Sequence, residues 1–317
     1  MSKRTLKEAF NAVFHDQNAY DDFRSSSLNA EIEQFQINQR TVIRQSKKLK
    51  TYLRFINKVL FRHLAKNTAV VHSFIKDKNT LTAVSAHAEN KYFFLTDIAS
   101  FYQNIKKDDV KNILLRDQEL IPISDIAEHL DFLSEITTYD DSLPVGYPTS
   151  PELSNAFLYD FDCAIKAFCD SESLVYTRYA DDIIISGQRF EELSSLKQIV
   201  QEALHQHASD LMYLNEQKTL ITSLGNKVKI LGLVILPNGQ ITIDKKYKTK
   251  LETLLYFYSN DKTKYADYLK HTMDGKERSL FGLLHYANSV DPKYIKKLQR
   301  KYGVLTLRSL MEEKLDD

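Results

Sequence analysis

The chain has 317 residues, of which 43 are Lys or Arg and 42 are Asp or Glu, so its net charge is only +1 at pH 7. Apolar residues make up 43% and only two cysteines occur, which excludes a disordered charged tail and a disulfide framework. The longest apolar run, residues 230–236, is far below the roughly 20 residues that span a bilayer, and no apolar leader follows the first residues. We therefore expect a globular cytoplasmic protein without a membrane segment.

The N-terminal region is predicted to be mostly helical. Residues 38–44 alternate in character, and residues 45–50 are typical of a turn that leads into a helix over residues 49–64. In that helix Leu53, Ile56 and Leu60 share one face, which predicts packing against a core.

The near-neutral total charge is an average of opposite blocks. Residues 1–107 hold 18 Lys or Arg against 9 acids, residues 108–172 hold 3 against 15, and residues 241–301 hold 14 against 7. Basic blocks that flank an acidic middle suit a protein whose outer parts bind phosphates while its centre holds metal. Solvated helix faces are the alternative.

An aspartate closes an apolar run near the end of the first third of the chain. Residues 92–96 are mostly apolar and lead directly into Asp97, a pattern typical of a buried central strand whose last residue emerges at the sheet edge. A carboxylate there is costly without a partner. The alternative is that Asp97 caps the N-terminus of a helix over residues 99–105.

A single helix is predicted over about residues 152–170, and it carries both cysteines. Cys163 and Cys169 are spaced for neither a zinc site nor a disulfide within a helix. We therefore expect reduced thiols in the core.

Two adjacent acids lie at a predicted turn. Residues 174–178 and 183–186 are rich in β-branched and aromatic side chains, which predicts a β-hairpin with Ala180 and Asp181 near its tip and Asp182 directly after. A solvated turn is the alternative. If this hairpin lies beside the strand that ends at Asp97, three carboxylates converge, and two Mg²⁺ ions about 3.5–4 Å apart fit between them and the phosphates of a substrate.

The C-terminal region is predicted to be helical after a second hairpin. Pro-Asn-Gly-Gln at 237–240 is a turn signal between residues 230–236 and 241–243. Basic residues interleaved with aromatics follow, which suits contact with a nucleic-acid backbone. These basic residues are Lys245, Lys246, Lys248 and Lys250. We assign the aromatic residues 256–258 to a small helical core.

Taken together in chain order, five segments resemble the motifs of reverse transcriptases. The Asp97 segment resembles motif A, residues 143–155 motif B, Tyr-Ala-Asp-Asp at 179–182 motif C, residues 214–219 motif D and residues 230–234 motif E. The likeness covers about residues 30 to 250. Gly-Tyr-Pro-Thr-Ser-Pro at 146–151 is similar to motif B of the short bacterial enzymes of retrons and phage-defence systems.

Two segments depart from the retron pattern, and one residue departs from the usual motif B. Residues 68–72 are Thr-Ala-Val-Val-His where retron enzymes carry Asn-Ala-x-x-His, and residues 230–232 are Ile-Leu-Gly where they carry Val-Thr-Gly. Val145 stands where Gln is common in motif B, which removes a polar side chain from the expected nucleotide pocket. We assign His72 to packing rather than to catalysis.

The resemblance implies an α+β fold, a right-hand polymerase with helical fingers, an antiparallel-sheet palm and a small helical thumb. We place the fingers at residues 1–90 and the palm at residues 91–240, with a fingers-like insertion at about 106–142. The thumb is placed at residues 241–317.

The resemblance also implies an RNA-directed DNA polymerase, in which a primer 3′-hydroxyl attacks the α-phosphate of a dNTP. Asp97 and Asp181 would bridge two Mg²⁺ ions, with Mn²⁺ as a substitute, and Asp182 would assist. Lys218 is the candidate general acid for the pyrophosphate, and a surface lysine is the alternative.

Nucleotide contacts are implied in the same way. Tyr102, five residues after Asp97, stands where these enzymes place an aromatic ring that excludes a ribose 2′-hydroxyl. A core aromatic is the alternative. The other candidates are Ile98, Val145 and Gly146 in the nucleotide pocket, and Arg40 and Lys47 at the triphosphate, with neighbouring Arg44 and Lys48 as alternatives.

The implied partners are dNTPs, an RNA/DNA duplex and a noncoding RNA template in a retron or anti-phage defence system, with an effector protein encoded nearby. One alternative is a defence-associated polymerase whose DNA synthesis is template-independent or protein-primed, which would keep the same carboxylates. Another is an RNA-dependent RNA polymerase. A binding module that has lost catalysis is disfavoured because all three acids are present.

Overall fold

The computed structural model describes residues 3–15, 17–25, 32–37, 40–225, 227–272 and 278–312. The chain divides into two compact units. The first comprises Met1–Asn79 and Tyr92–Ile221, and the second comprises Thr80–Lys91 and Thr222–Asp317. All three acids that the sequence singles out belong to the first unit.

The first unit begins with helices around an aromatic core and an antiparallel hairpin. Its first elements are α1 (Leu6–Phe14), α2 (Tyr20–Ser25), β1 (Ile32–Ile37), β2 (Arg40–Gln45) and α3 (Lys47–Val59). Thr5 and Glu8 form a capping box that starts α1. Phe23 stacks on Phe10 with ring centroids 5.0 Å apart and meets the ring of Tyr52 edge-on.

Helix α3 begins earlier and ends earlier than the sequence predicts. The Ser46 side chain accepts a hydrogen bond from the N–H of Leu49, which caps the helix before Lys47. After Val59 the chain tightens into a single 3₁₀ turn, Phe61–His63. The predicted apolar face is confirmed, because Leu53, Ile56 and Leu60 are all buried. The short helix α4 (Thr80–Ser85) then follows in the second unit.

Three strands of a four-stranded sheet lie in the first unit, and the fourth, at residues 220–223, crosses the division of the chain between the two units. The strand order of the sheet is β4-β5-β3-β6, and β5 pairs antiparallel with both β3 and β4. Buried Phe93 and Phe94 of β3, with Ile183 and Ile185 of β5, anchor it in the core. The strands are β3 (Tyr92–Asp97), β4 (Val175–Tyr179), β5 (Asp182–Gly187) and β6 (Leu220–Ser223).

Five helices accompany this sheet in the chain. They are α5 (Lys107–Arg116), α6 (Leu130–Thr137), α7 (Ser150–Phe157), α8 (Tyr159–Ser171) and α9 (Leu196–His207). The single helix predicted over residues 152–170 is in fact two, α7 and α8. The break is at Leu158, whose φ of −86° and ψ of 11° leave the helical region. Leu158 itself is buried, so the core fixes this bend.

The second unit contains a three-stranded antiparallel sheet and a group of helices. The elements are β7 (Val228–Ile230), β8 (Leu233–Ile235), β9 (Ile241–Ile243), α10 (Lys245–Asn260), α11 (Lys262–Thr272), α12 (Arg278–Val290), α13 (Pro292–Tyr302) and α14 (Val304–Glu312). The predicted turn at 237–240 is confirmed, because it joins the paired strands β8 and β9. Among the helices in the described ranges, none is long and apolar enough to cross a membrane.

The assignment of Tyr256 to the helical core is wrong. Its side chain is 54% exposed, whereas Leu254 and Leu255 immediately before it are buried. On a helix, two adjacent leucines already point toward the core, so the next position rotates toward solvent. An unbroken apolar run therefore does not show which of its members are buried.

Gly146 lies where the loop before α7 packs closely against strand β2. The N–H of Ile43 donates to the carbonyl of Val145 at 2.9 Å, and Gly146 has a φ of +111°. A Cβ at position 146 would lie 2.5 Å from the carbonyl oxygen of Ile43. Both the backbone conformation and the space therefore require glycine.

We predict that Gly146→Ala destabilises the first unit by at least about 1–3 kcal/mol, because strain and overlap add. Gly282→Ala is the matched control. It lies in α12, and apart from its chain neighbours and the nearby backbone of its own helix, nothing lies within 4 Å of the place that its new methyl group would take, so it should stabilise by about 0.5–1 kcal/mol. Differential scanning calorimetry measures both changes. A Gly146→Ala protein as stable as the wild type would contradict the close packing.

Candidate active site

The sheet register brings the three acids to one edge. Asp97, the last residue of β3, is the direct antiparallel partner of Asp182, the first residue of β5. Asp181 directly precedes Asp182 and lies in the turn that joins β4 to β5. The sequence predicted the strand that ends at Asp97 and the hairpin that carries Asp181 and Asp182. The pairing of β3 with β5 places that strand beside that hairpin.

The turn is fixed by backbone hydrogen bonds. Ala180 adopts a left-handed conformation with φ of +55°, and its N–H donates to Oγ of Ser73 at 2.8 Å. The carbonyl of Asp181 accepts a hydrogen bond from the N–H of Ile98 at 3.1 Å. The segments on either side of Asp97 and Asp181 are thus joined directly, which limits how far the two side chains can separate.

The site is electrostatically crowded. Asp97 is only 3% exposed, and its Oδ1 is buried without a hydrogen-bond partner among the described residues. Burial, followed by the charges of Asp181 and Asp97, raises the pKa of Asp182 to about 6. The ammonium group of Lys218 contacts Oδ2 of Asp97, and this hydrogen bond raises the pKa of Lys218.

These residues fit a divalent cation that also binds substrate. A buried carboxylate oxygen without a partner and a like-charge cluster both favour a cation. Within the described ranges, no group of three His, Cys, Asp or Glu side chains is arranged to hold a metal ion by itself. Proteins bind Mg²⁺ through one or two carboxylates together with substrate phosphates rather than through a complete cage, so a bound substrate would complete a Mg²⁺ site at these carboxylates.

Tyr102 lies in a single 3₁₀ turn, Tyr102–Asn104, rather than in a helix over residues 99–105. Its neighbour Phe101 is 3% exposed and takes the core position. Tyr102 is partly buried, and this burial raises the pKa of its hydroxyl, which is hydrogen-bonded with Ser154 of α7. The ring therefore lies against Phe101, and its hydroxyl is held by α7.

The remaining predicted nucleotide contacts have different surroundings. Ile98 is 1% exposed, so its side chain belongs to the core. Val145 and Gly146 form a wall with β2 through the Ile43 backbone and through a hydrogen bond of 3.0 Å from Nε2 of Gln45 to the Gly146 carbonyl. Lys47 is exposed at the first turn of α3, and the side chain of Arg40 lies outside the described part of the chain. The roles of these residues stay predictions.

Residues that the sequence analysis did not single out surround the turn. Arg178 and Asp162 are both fully buried and form an ion pair beneath Ala180. The available signal was a charged arginine inside a strand of β-branched and aromatic residues, close before the turn. His72 is 8% exposed, and burial lowers its pKa to about 4, so it is neutral at pH 7, in agreement with a packing role.

Comparison with known proteins adds independent observations. Residues 33–235 match the family model described as "Reverse transcriptase (RNA-dependent DNA polymerase)". The chain is 24% identical over 282 residues to the Retron Ec83 reverse transcriptase of Escherichia coli, with 86% of each chain covered. It is 27% identical over 271 residues to the Retron Ec73 reverse transcriptase of Escherichia coli, with 83% of each covered.

A solved structure shows the same fold at low sequence identity. Telomerase from Candida albicans, in complex with a TWJ fragment of telomeric RNA, aligns with a TM-score of 0.50 at 11% identity. The alignment covers 98% of this chain and 65% of that chain. This likeness concerns the fold alone.

Crowding at Asp182 predicts a pH-dependent stability. The pKa of the Asp182 carboxyl is about 6 in the folded protein, above the ordinary value of 3.8. The free energy of unfolding therefore falls as the pH rises from the ordinary pKa to the raised one, because the folded protein disfavours the ionised carboxylate. In EDTA at pH 8, Asp182→Asn should therefore raise Tm by on the order of a few degrees. The advantage should disappear below the ordinary Asp pKa, where the wild-type carboxyl is protonated in both states.

Calorimetry across this pH range measures the effect of Asp182→Asn. Asp210→Asn is the control, because Asp210 is exposed and its amide should leave Tm unchanged. An Asp182→Asn protein that is less stable than the wild type at pH 8 would show that the three carboxylates do not repel one another.

Proposed function

The chain belongs to the reverse transcriptase family of RNA-directed DNA polymerases, and we propose that Asp97, Asp181 and Asp182 hold the metal ions with which it extends a primer. The chain is similar to retron reverse transcriptases of Escherichia coli, which supports the bacterial retron-type enzyme that the sequence predicts. The predicted right-hand polymerase fold, α+β with an antiparallel sheet, is also confirmed.

The observation that carries the proposed mechanism is the pairing of Asp97 with Asp182 at the edge where Asp181 forms the turn. When bound, two Mg²⁺ ions would lower the pKa of the primer 3′-hydroxyl and stabilise the charge on the pyrophosphate leaving group. The carboxylates of Asp97 and Asp181 would hold the two ions, with Asp182 assisting. The buried, unpartnered Oδ1 of Asp97 supports its part in this set.

Lys218 is proposed to act on the leaving group. Its hydrogen bond to Asp97 raises its pKa, so the ammonium form persists at neutral pH. Its side chain is 56% exposed, which leaves the ammonium group accessible to a pyrophosphate oxygen. A proton held at Nζ would thus be available to the product while the same charge offsets the carboxylates.

The nucleotide would lie between the carboxylates and the segments around Tyr102 and Gly146. Tyr102 would exclude a 2′-hydroxyl, and Val145 and Gly146 would form the wall of the pocket, with Ile98 behind it. Arg40 and Lys47, on the β2–α3 segment bonded to this wall through Ile43, are proposed for the triphosphate.

The fingers are proposed at residues 1–90, the palm at 91–240 with its insertion at 106–142, and the thumb at 241–317.

In the second unit, a cleft of about 570 Å³ is lined by Lys245, Lys246, Thr249, Lys250 and Tyr268. Ammonium groups beside an aromatic ring suit a nucleic-acid backbone and its bases. This cleft supports an RNA/DNA duplex as the ligand of the thumb.

The template is proposed to be a dedicated noncoding RNA, in a retron or anti-phage defence system with an effector protein. The curated relatives are named as retron enzymes, which favours this setting over template-independent or protein-primed synthesis. Sequencing the RNA that copurifies with the protein would identify the template.

Primer extension on an RNA template with Mg²⁺ and dNTPs tests the metal assignment. Asp181→Asn should lower the rate by roughly 10³-fold or more, because loss of several kcal/mol of charge stabilisation has that effect. The exposed Asp210→Asn serves as the matched control and should keep wild-type activity. Near-wild-type incorporation by Asp181→Asn would overturn the assignment.

Sugar selection tests the role of Tyr102. Tyr102→Ala should incorporate ribonucleotides roughly tenfold or more better relative to deoxyribonucleotides, because the ring no longer overlaps a 2′-hydroxyl. Tyr102→Phe is the matched control, since it keeps the ring and loses only the bond with Ser154. Ratios of kcat/KM for matched rNTP and dNTP pairs decide the matter, and an unchanged ratio in Tyr102→Ala would exclude a gate at this position.

A further inference from the structure

A fully buried ion pair lies directly beneath the turn that carries Asp181. Arg178 and Asp162 are both 0% exposed, with Nε donating to Oδ1 at 2.8 Å and Nη2 donating to Oδ2 at 2.6 Å. The hydroxyl of Tyr176 donates to the same Oδ1 at 2.7 Å. Asp162 therefore fixes the plane of the guanidinium from one side.

The remaining nitrogen of Arg178 is directed at the turn. Nη1 donates to the carbonyl of Ala180 at 2.9 Å and to Oδ1 of Asn155 in α7 at 3.2 Å. Asn155 in turn donates from Nδ2 to the carbonyl of Ser73 at 3.0 Å. Oγ of Ser73 accepts the N–H of Ala180 at 2.8 Å, which closes the circuit.

Both backbone groups of Ala180 are thus held by side chains from elsewhere in the first unit. The conformation that they hold, with φ of +55°, is unfavourable for a residue with a Cβ. The carbonyl of Ala180 belongs to the peptide plane that ends at the Cα of Asp181. A donor fixed on that carbonyl therefore fixes the direction in which the Asp181 side chain leaves the backbone.

Stability alone does not account for this arrangement. Replacing a buried ion pair by apolar residues of similar size is often neutral or stabilising. An apolar side chain, however, could not donate to the Ala180 carbonyl. The fork of arginine can satisfy Asp162 with two nitrogens and still direct a third at the turn, which a lysine ammonium cannot do.

We propose that Arg178, oriented by Asp162 and Asn155, is a positioning residue that holds the Ala180–Asp181 peptide in the orientation needed for metal binding. The inference rests on the proposed function, since it takes Asp181 as a metal-holding carboxylate. Asn155 follows Ser154, which is bonded with Tyr102, so the same contacts connect the sugar-selecting ring to the turn.

Arg178→Lys tests the proposal, because it keeps the charge opposite Asp162 and loses the fork. We expect kcat to fall roughly 10- to 100-fold, the usual range for a residue that orients a metal ligand. The Mn²⁺ dissociation constant, measured by electron paramagnetic resonance on the full chain with an RNA–DNA primer-template and a non-hydrolysable dNTP, should rise over a similar range. Assays are run well below the Tm of each variant.

Tyr176→Phe is the matched control. It removes one hydrogen bond to Asp162 in the same buried cluster and leaves the contact of Arg178 with Ala180 intact. If the cluster acts only through stability, Tyr176→Phe and Arg178→Lys will both lower Tm, and both will keep wild-type kcat and Mn²⁺ affinity in assays well below Tm. If it positions Asp181, Arg178→Lys will lose kcat and Mn²⁺ affinity and Tyr176→Phe will not.

Ser73→Ala extends the test outside the ion pair and serves if Arg178→Lys does not fold. It removes the acceptor of the Ala180 N–H, so it should also lower kcat and Mn²⁺ affinity. The inference would be overturned if both Arg178→Lys and Ser73→Ala keep the wild-type kcat and Mn²⁺ affinity. If Arg178→Lys does not fold, wild-type kcat and Mn²⁺ affinity in Ser73→Ala alone would overturn it. Either result would leave the proposed function standing. A wild-type protein without Mg²⁺-dependent nucleotide incorporation would overturn the proposed function first, and the inference with it.

Discussion

The antiparallel register of β3 and β5 places Asp97 opposite Asp182, and the rest of the site depends on that pairing. Like charges directly opposite each other destabilise a sheet. The register nevertheless persists, because a shift of β3 by one residue would turn Phe94 to the other face of the sheet, away from Ile183 and Ile185 in the core. Packing of apolar side chains thus holds two carboxylates together that would otherwise move apart, and burial, together with the charges of Asp181 and Asp97, raises the pKa of Asp182.

Two cationic side chains accompany this cluster, and they act differently. The charge of Arg178 is taken up by Asp162 in a fully buried pair, so the arginine contributes direction more than charge. Lys218 is half-exposed and contacts Asp97, so its charge offsets the carboxylates while the side chain keeps room to move. The arginine fork beneath the turn thus fixes the direction of the backbone, and the ammonium group beside it supplies charge.

Local sequence patterns predicted those parts of the structure that local patterns determine. The strand ending at Asp97, the turn at Ala180 and the hairpin at 237–240 follow from apolar runs and turn residues close together in the chain. The break at Leu158 and the exposure of Tyr256 do not, because each depends on which side of a helix the core lies. The contacts of Arg178 with Asp162 and Asn155 join residues 16 and 23 positions apart, and no period in the sequence marks such a pair.

The left-handed Ala180 shows why the turn needs so many supports. Glycine would adopt φ of +55° without strain, but it would also leave the neighbouring Asp181 freer to move. Alanine restricts the backbone, and its strain is tolerated only where surrounding contacts determine the conformation. Ser73 on the N–H and Arg178 on the carbonyl supply those contacts. Strained backbone and crowded carboxylates therefore occur together at this edge, and the buried core of the first unit provides the stability that both require.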